Sequence, residues 1–363
     1  MADSRVRVCF RCCLRKKKRR RRVGEEMKSK LEGVDESLLR LLNTTSLEEV
    51  AGRRRIREAF KEVQLGIDHC LFKASQAAAV KTEEWYEVNS RGLEIFCKSW
   101  LPENASVKAI ICFCHGTARK IASSGYGVFA MDYPGFGLSE GLHGYIPSFD
   151  SIVNDVIEHF SKIKENPEYQ SLPSYLFGQS MGGAVALNVH FKQPNAWSGA
   201  ILLAPMCKIA DDVEPSWILK QILIGVAKIL PKSKLVPDRD LAEMAFRDPK
   251  KIKMAAYNVI AYKDKPRLGT ALELLNTTDE IDKRLENVSL PLLILHGEAD
   301  IVTDPSVSKA LYEKAKSSDK KLLLYKDTRH ALLEGEYDEI ILQVLEDIVS
   351  WLDEHSSDRI TSS

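Results

Sequence analysis

Short apolar runs alternate with amphipathic stretches over most of the chain, from Trp85 to His355. Compact apolar runs bounded by turn residues read as strands, and apolar positions recurring at i, i+3 and i+4 read as helix faces. Strands are expected at Trp85–Val88, Leu93–Leu101, Ala109–Cys114, Gly127–Asp132, Tyr175–Gly178, Ala200–Leu203, Leu290–His296 and Leu322–Tyr325. Helices are expected at Phe149–Lys164, Met181–Lys192, Ser306–Ser317 and Glu336–His355. The short turn Asn89–Gly92 makes the first strand pair an antiparallel hairpin. The later strands are apolar throughout and separated by helices, which predicts a parallel sheet covered on both faces. Upstream, Ile56, Ala59, Phe60, Val63 and Ile67 place an apolar stripe on a helix within residues 46–73. Arg53, Arg54, Arg55 and Arg57 crowd its start. That helix either docks on the main domain or lies on an anionic membrane surface.

Residues 206–285 break the alternation, with no strand pattern and an apolar stretch, Trp217–Leu230, stopped by Pro231. A helical insertion between two sheet strands is expected to cap the carboxyl edge of the sheet, where open α/β sheets bind ligands. The expected division is therefore an N-terminal helical segment over 31–80, a core over 81–205 and 286–355, and the cap over 206–285.

The 363 residues are 44% hydrophobic and 28% charged, which excludes collagen-like, wholly disordered and multi-span membrane classes. The net charge of +1 conceals an asymmetry: Arg5 to Arg22 holds eleven Lys and Arg and no acid, leaving −10 for the remainder. Residues 1–30 are expected to be a disordered basic arm and 356–363 a disordered tail. Cys9, Cys12 and Cys13 beside the basic run suggest a palmitoylated, polybasic contact with a membrane, peripheral and cytoplasmic. A transit peptide, with a plastid destination, is the alternative. Phe10 is the one aromatic in the run, so no nucleic-acid partner is expected. The eight cysteines follow no disulfide framework, and Cys112-Phe113-Cys114-His115 lacks zinc-site spacing. No metal is expected.

The strongest chemical signal is Gly178-Gln179-Ser180-Met181-Gly182, between a strand and a helix rich in small residues. That context is the one a nucleophile elbow requires: the turn exposes the serine hydroxyl, and the glycines let strand and helix approach closely. A serine hydroxyl needs a base and an acid to orient that base, here in the order Ser, Asp/Glu, His. Asp300 lies just past the strand Leu290–His296, in His296-Gly297-Glu298-Ala299-Asp300, and His330 lies just past the last strand. Glu298 and Asp304 are rival acids, His355 a rival base, His296 a residue shaping the Asp300 loop, and Asp327 a turn acid.

These motifs, with Ala130-Met131-Asp132-Tyr133-Pro134-Gly135-Phe136-Gly137-Leu138-Ser139-Glu140-Gly141, resemble the α/β-hydrolase fold. More narrowly they resemble the plant monoacylglycerol lipase and caffeoylshikimate esterase group of serine hydrolases. The resemblance covers roughly Trp85–Asp353, including Lys265-Pro266-Arg267-Leu268-Gly269-Thr270 in the cap. It implies a mostly parallel eight-stranded sheet with helices on both faces and a helical cap. It also implies hydrolysis of a monoacylglycerol, a lysophospholipid or a related small ester through an acyl-serine, without a cofactor. The family's triad falls on Ser180, Asp300 and His330, and its oxyanion donors on the backbone N–H groups of Met181 and Thr117. Acyl transfer to another alcohol is the alternative reaction. One departure stands out: His115-Gly116 runs straight into Thr117–Ser124, and the next strand begins near Gly127. A parallel crossover usually takes at least about ten to twelve residues. The shortened segment is expected to displace the Thr117 N–H, to curtail the following helix and to weaken or impair the enzyme.

Overall fold

The computed structural model describes residues 31–67, 69–70, 80–113, 118–208, 217–236 and 241–357. The expected basic arm with Cys9, Cys12 and Cys13, residues 358–363 of the expected tail, and Thr117 lie outside the described residues.

An eight-stranded sheet organises the chain: β1 (Val80–Val88), β2 (Glu94–Pro102), β3 (Ile110–Phe113), β4 (Gly127–Met131), β5 (Ser174–Gln179), β6 (Gly199–Leu203), β7 (Leu292–Gly297) and β8 (Lys320–Tyr325). Their spatial order is β1-β2-β4-β3-β5-β6-β7-β8. β2 is antiparallel to both its neighbours, and all pairs from β4–β3 onward are parallel. The inner strands are apolar throughout because both faces are covered. Side chains alternate strictly between two cores: Tyr175, Phe177, Ile201, Leu203, Leu293 and Leu295 point to one, and Leu176, Ala200, Leu202, Leu292 and Ile294 to the other.

One face is packed by α5 (Phe149–Glu165), α6 (Met181–Lys192) and α11 (Pro305–Lys314), with Val153, Val156 and Phe160 of α5 fully buried. The other is packed by α4 (Ala118–Ser123) and α12 (Asp338–Ser357). α12 runs two residues beyond the expected end at His355. The helix after the shortened crossover is curtailed, as expected, to the six residues of α4. Six residues suffice for a helix that buries Ala118, Ile121 and Ala122 against the sheet. Ser124 and Gly125 then close it by donating to Ile121 O and Ala122 O at 3.0 Å. β3 keeps its parallel register with β4 and β5, so the short crossover is compatible with the strand order.

The N-terminal segment forms α1 (Glu36–Thr44), α2 (Val50–Ala59) and α3 (Lys61–Leu65), the expected single helix being broken at Phe60. Leu39, Leu42, Ile56 and Phe60 pack against Val259 of the insertion between β6 and β7. Arg53, Arg54 and Arg57 turn toward the protein, while Arg55 is exposed. Arg53 is fully buried: its guanidinium donates to Gly137 O at 2.7 Å and Ser139 O at 2.6 Å, and reaches the Leu47, Glu48 and Gly141 carbonyls. Arg54 donates to Leu138 O and pairs with Glu94, and Arg57 pairs with Glu84.

The insertion contains α7 (Trp217–Ile229), α8 (Leu241–Ala245), α9 (Pro249–Ala256) and α10 (Leu268–Asp282). Arg267, at the N-terminus of α10, donates to His143 O and Lys232 O at 2.9 and 2.8 Å and pairs with Glu48. Thr270 bridges Gly144 O and Ile146 N. Replacing Arg53 by Met leaves several buried carbonyls without a donor. Arg53→Met is therefore expected to lower the unfolding free energy by about 2–3 kcal/mol in a urea titration.

Candidate active site

β5 delivers Ser180 to the carboxyl edge of the sheet in a conformation that few non-glycine residues adopt, φ 52° and ψ −119°. Such backbone costs of order 1–3 kcal/mol and persists where the surroundings over-determine it. Here Ser180 N–H donates to Leu203 O at 3.0 Å, and Ser180 O accepts from Gly183 N at 2.9 Å and Met206 N at 3.0 Å. Glycine is required on both sides of the turn. A Cβ on Gly178 would sit 2.3 Å from Gly182 O, and one on Gly183 would sit 2.6 Å from Pro205 Cβ. Gln179 ends β5 in register with Leu203. Met181 is the first residue of α6, so its N–H belongs to the group at a helix N-terminus that has no intrahelical acceptor. That end of the helix carries the positive pole of its dipole and favours developing negative charge.

Asp300 and His330 are brought into direct contact: His330 Nδ1 lies 2.6 Å from Asp300 Oδ2, and both residues are buried. The two loops are also laced together, with Glu298 N–H donating to Tyr325 O at 2.9 Å and Ala299 N–H to Thr328 O at 3.0 Å. The second carboxylate oxygen accepts from Val302 N–H at 2.7 Å and Thr303 N–H at 3.0 Å. Burial pushes the Asp300 carboxyl up, but hydrogen bonds from His296 and His330 outweigh it and hold the group well below the usual carboxylate range. An ionised Asp300 keeps the Nδ1 proton of His330 in place and leaves Nε2 as the nitrogen available for proton transfer.

His296 is the residue whose part the motif alone understated. It is fully buried, with Nε2 at 3.0 Å from Asp300 Oδ2 and 2.9 Å from Thr303 O, and Nδ1 at 2.7 Å from Ser308 Oγ. A single tautomer satisfies all three: Nε2–H donates to both acceptors and Nδ1 accepts from the Ser308 hydroxyl. The rival acids have other roles. Asp304 caps α11 through Ser306 N–H at 2.7 Å, Glu298 is exposed, and Asp327 occupies a turn at φ 57°. His355, on α12, stacks on Trp351 and bonds to Asp319, just before β8.

Among the described residues one cluster gathers metal-ligating atoms: Glu87, Cys97 and His159, under the β1–β2 hairpin. His159 Nδ1 lies 3.1 Å from Glu87 Oε1 and 3.6 Å from Cys97 Sγ. Burial pushes the Cys97 thiol far up, away from the thiolate a metal needs, and Lys162 stands 3.6 Å from Glu87 Oε1. The chemistry is that of a hydrogen-bonded network rather than a cation site. Cys112 is a buried thiol of β3, while Cys114 and His115 lie outside the described residues.

Residues 105–338, more than half of the chain, match the family model described as serine aminopeptidase, S33. Caffeoylshikimate esterase of Arabidopsis thaliana is 36% identical over 276 residues, covering 72% of this chain and 82% of that protein. Monoglyceride lipase of Homo sapiens is 28% identical over 289 residues, covering 76% of this chain and 92% of that protein. The fold is that of a soluble variant of monoglyceride lipase from Saccharomyces cerevisiae solved with a substrate analog. That likeness has a TM-score of 0.67 and 23% identity over 77% of this chain and 97% of that one.

Asp300→Asn is expected to lower kcat by about 10⁴, since an amide favours the wrong imidazole tautomer. Asp304→Asn is expected to leave kcat unchanged. Because the Asp300 carboxyl is held below its unfolded value of 3.8, its ionised form stabilises the fold above that pH and the contribution fades as pH falls further. The stability gap between the parent and Asp300→Ala, measured by denaturant titration, should be full at neutral pH and shrink in acid.

Proposed function

From the premise that this chain belongs to the serine aminopeptidase S33 family, and is by that kinship a carboxylic ester hydrolase, we propose that Ser180, His330 and Asp300 form its catalytic triad. We take the substrate to be a monoacylglycerol or a related small ester. The observation that carries this reading is the buried 2.6 Å contact between His330 Nδ1 and the ionised Asp300, at the same sheet edge as the strained elbow of Ser180.

In the proposed sequence Ser180 Oγ attacks the ester carbonyl carbon while His330 Nε2 takes the hydroxyl proton. The negative charge that develops on the carbonyl oxygen meets the Met181 N–H, and we assign the second donor to Thr117, which the short segment after Gly116 holds less well than a longer loop would, so that the enzyme is a weaker esterase than one with such a loop. Collapse breaks the bond to the alcohol, which leaves with the proton from His330. Water then attacks the acyl-serine, with His330 accepting its proton and returning it to Ser180 as the fatty or phenolic acid departs. Each oxyanion donor of this kind is worth about 10²–10³ in rate. The helical insertion is proposed as the cap over the acyl chain, and the segment α1–α3 as its brace.

Contact with a lipid surface belongs to the same proposal. Ile229, Leu230 and Leu235 of the insertion are 80%, 53% and 59% exposed, an unusual concentration of large apolar side chains. The basic run Arg5–Arg22 supplies attraction to anionic headgroups, and acylation of Cys9, Cys12 or Cys13 would add to it. Among the described residues no helix is long and apolar enough to cross a membrane.

Ser180→Ala should lose labelling by a fluorophosphonate, and Ser180→Ala and His330→Ala should each lose turnover of monoacylglycerols, lysophospholipids and phenolic esters by about 10⁴ or more, with circular dichroism unchanged. Residual rates within tenfold of the parent in both would refute the triad. Full-length protein should co-sediment with phosphatidylserine-containing vesicles in a salt-sensitive manner, and removal of residues 1–30 should weaken this without altering hydrolysis of a soluble ester. Equal sedimentation of both would refute the anchor.

A further inference from the structure

His330 is held from two directions. Its imidazole is fixed by Asp300, but its main chain is fixed by the insertion, about eighty-five residues earlier in sequence. Ala331 N–H donates to Ala245 O at 3.0 Å, and Gly335 O accepts from Arg247 N–H at 2.8 Å and Asp248 N–H at 2.9 Å. The Arg329 guanidinium adds a side-chain tie: its Nη1 donates at 2.9 Å to Glu243 O and at 2.9 Å to Phe246 O. A cation that gathers carbonyls at the C-terminus of α8 meets the negative pole of that helix. The neighbouring Arg329 N–H is itself anchored, donating at 2.6 Å to Oε1 of the fully buried Glu336.

The fit between the two segments leaves no slack. A Cβ on Gly335 would sit 2.7 Å from Phe246 Cγ, 2.9 Å from Phe246 Cα and 2.9 Å from Ala331 Cβ. Two of those atoms belong to the insertion and one to the residue next to His330, so a single methyl group would wedge the segments apart.

We propose that Glu243–Asp248 of the insertion and the loop 329–336 are one mechanically coupled unit, in which Arg329 is a positioning residue for His330. The proposal rests on the reading of His330 as the catalytic base. Its consequence is that the element over the acyl chain and the base that activates Ser180 share one position. An ester bound beneath the insertion is thereby brought into register with the base, and loosening the tie misplaces His330 even for an ester too small to touch the insertion. Misplacement by about 1 Å, from a change far from the chemistry, can cost about 10²-fold in rate.

The test uses p-nitrophenyl acetate, whose acyl group is too short to need a cap, with active sites counted by fluorophosphonate labelling. Arg329→Met and Gly335→Ala are each expected to lower kcat per labelled serine by about tenfold or more, with KM within about twofold. Arg329→Lys retains a cationic donor for the two carbonyls and is expected to recover most of the rate. A purely structural role would lower the labelled fraction and the Tm but leave kcat per labelled site unchanged. Parent-like kcat per site in both Arg329→Met and Gly335→Ala overturns the coupling, as does an Arg329→Lys enzyme as slow as Arg329→Met. Retention of turnover by Ser180→Ala, run alongside, would instead bring down the triad on which the proposal rests.

Discussion

Asp300 carries its charge where almost no water reaches it, and a buried carboxylate stays ionised only when donors replace the lost hydration. Two backbone N–H groups, from Val302 and Thr303, and two imidazoles, from His296 and His330, supply that replacement. Much of the local architecture follows from this demand. The chain after β7 has to curl so that two successive amides face one oxygen. His296 has to stand at the end of the strand to reach the other, and Ser308, within the first half of α11, has to fix its tautomer. The loop after β8 has to come close enough for His330 to complete the set, which it does by bonding to the loop after β7 at Tyr325 and Thr328. Stabilising the charge and orienting the His330 imidazole are therefore the same set of contacts.

A second demand arises from irregular backbone. The long connection between β4 and α5 has no ladder to absorb its carbonyls, and buried carbonyls need donors. Arginine serves here because one planar guanidinium offers several donors in fixed directions. Arg53 reaches into this connection from the N-terminal segment and Arg267 from the insertion, and both approach Glu48. Two pieces of chain remote in sequence are thus held to the same loop, with the apolar contacts of Ile56, Phe60 and Val259 behind them. Arg329 plays a comparable part on the other side of the site. The insertion is bound to the core by polar ties to main chain as well as by apolar packing, and the ties fix direction as well as proximity.

The strand ladder was readable from the chain because a strand buried on both faces must be apolar along its whole length. Every expected strand is found, most within two residues of its expected ends; β1 begins five residues earlier, at Val80, where four consecutive exposed polar residues, Lys81–Glu84, hid its start. The elbow was readable for a related reason: Gly178 and Gly183 admit no side chain at all, so their identity records the close approach of strand and helix. The break at Phe60 was not readable, since the apolar stripe continues across it and the turn is decided by docking. Arg53 left a faint mark, standing three and seven residues before Ile56 and Phe60 and hence on the buried stripe, yet an arginine in a basic run gives no sign of which carbonyls it will meet. The shortened crossover looked too brief by counting residues. In the fold the helix after it is indeed curtailed, to the six residues of α4, which cover the sheet with Ala118, Ile121 and Ala122.

By itself, then, the sequence determined the order of strands and helices, the presence of an insertion between β6 and β7, the elbow, and the short set of acids and histidines from which a base and its partner had to come. The tertiary structure decided which of them meet. Asp300 rather than Asp304 faces His330, His296 shares the same carboxylate oxygen, and the segment 243–248 grips the loop that carries His330. Local composition fixes the element a residue belongs to, because period and turn chemistry act over a few residues. Which donors reach a buried charge depends on loops brought together across the sheet, and no local pattern encodes that distance.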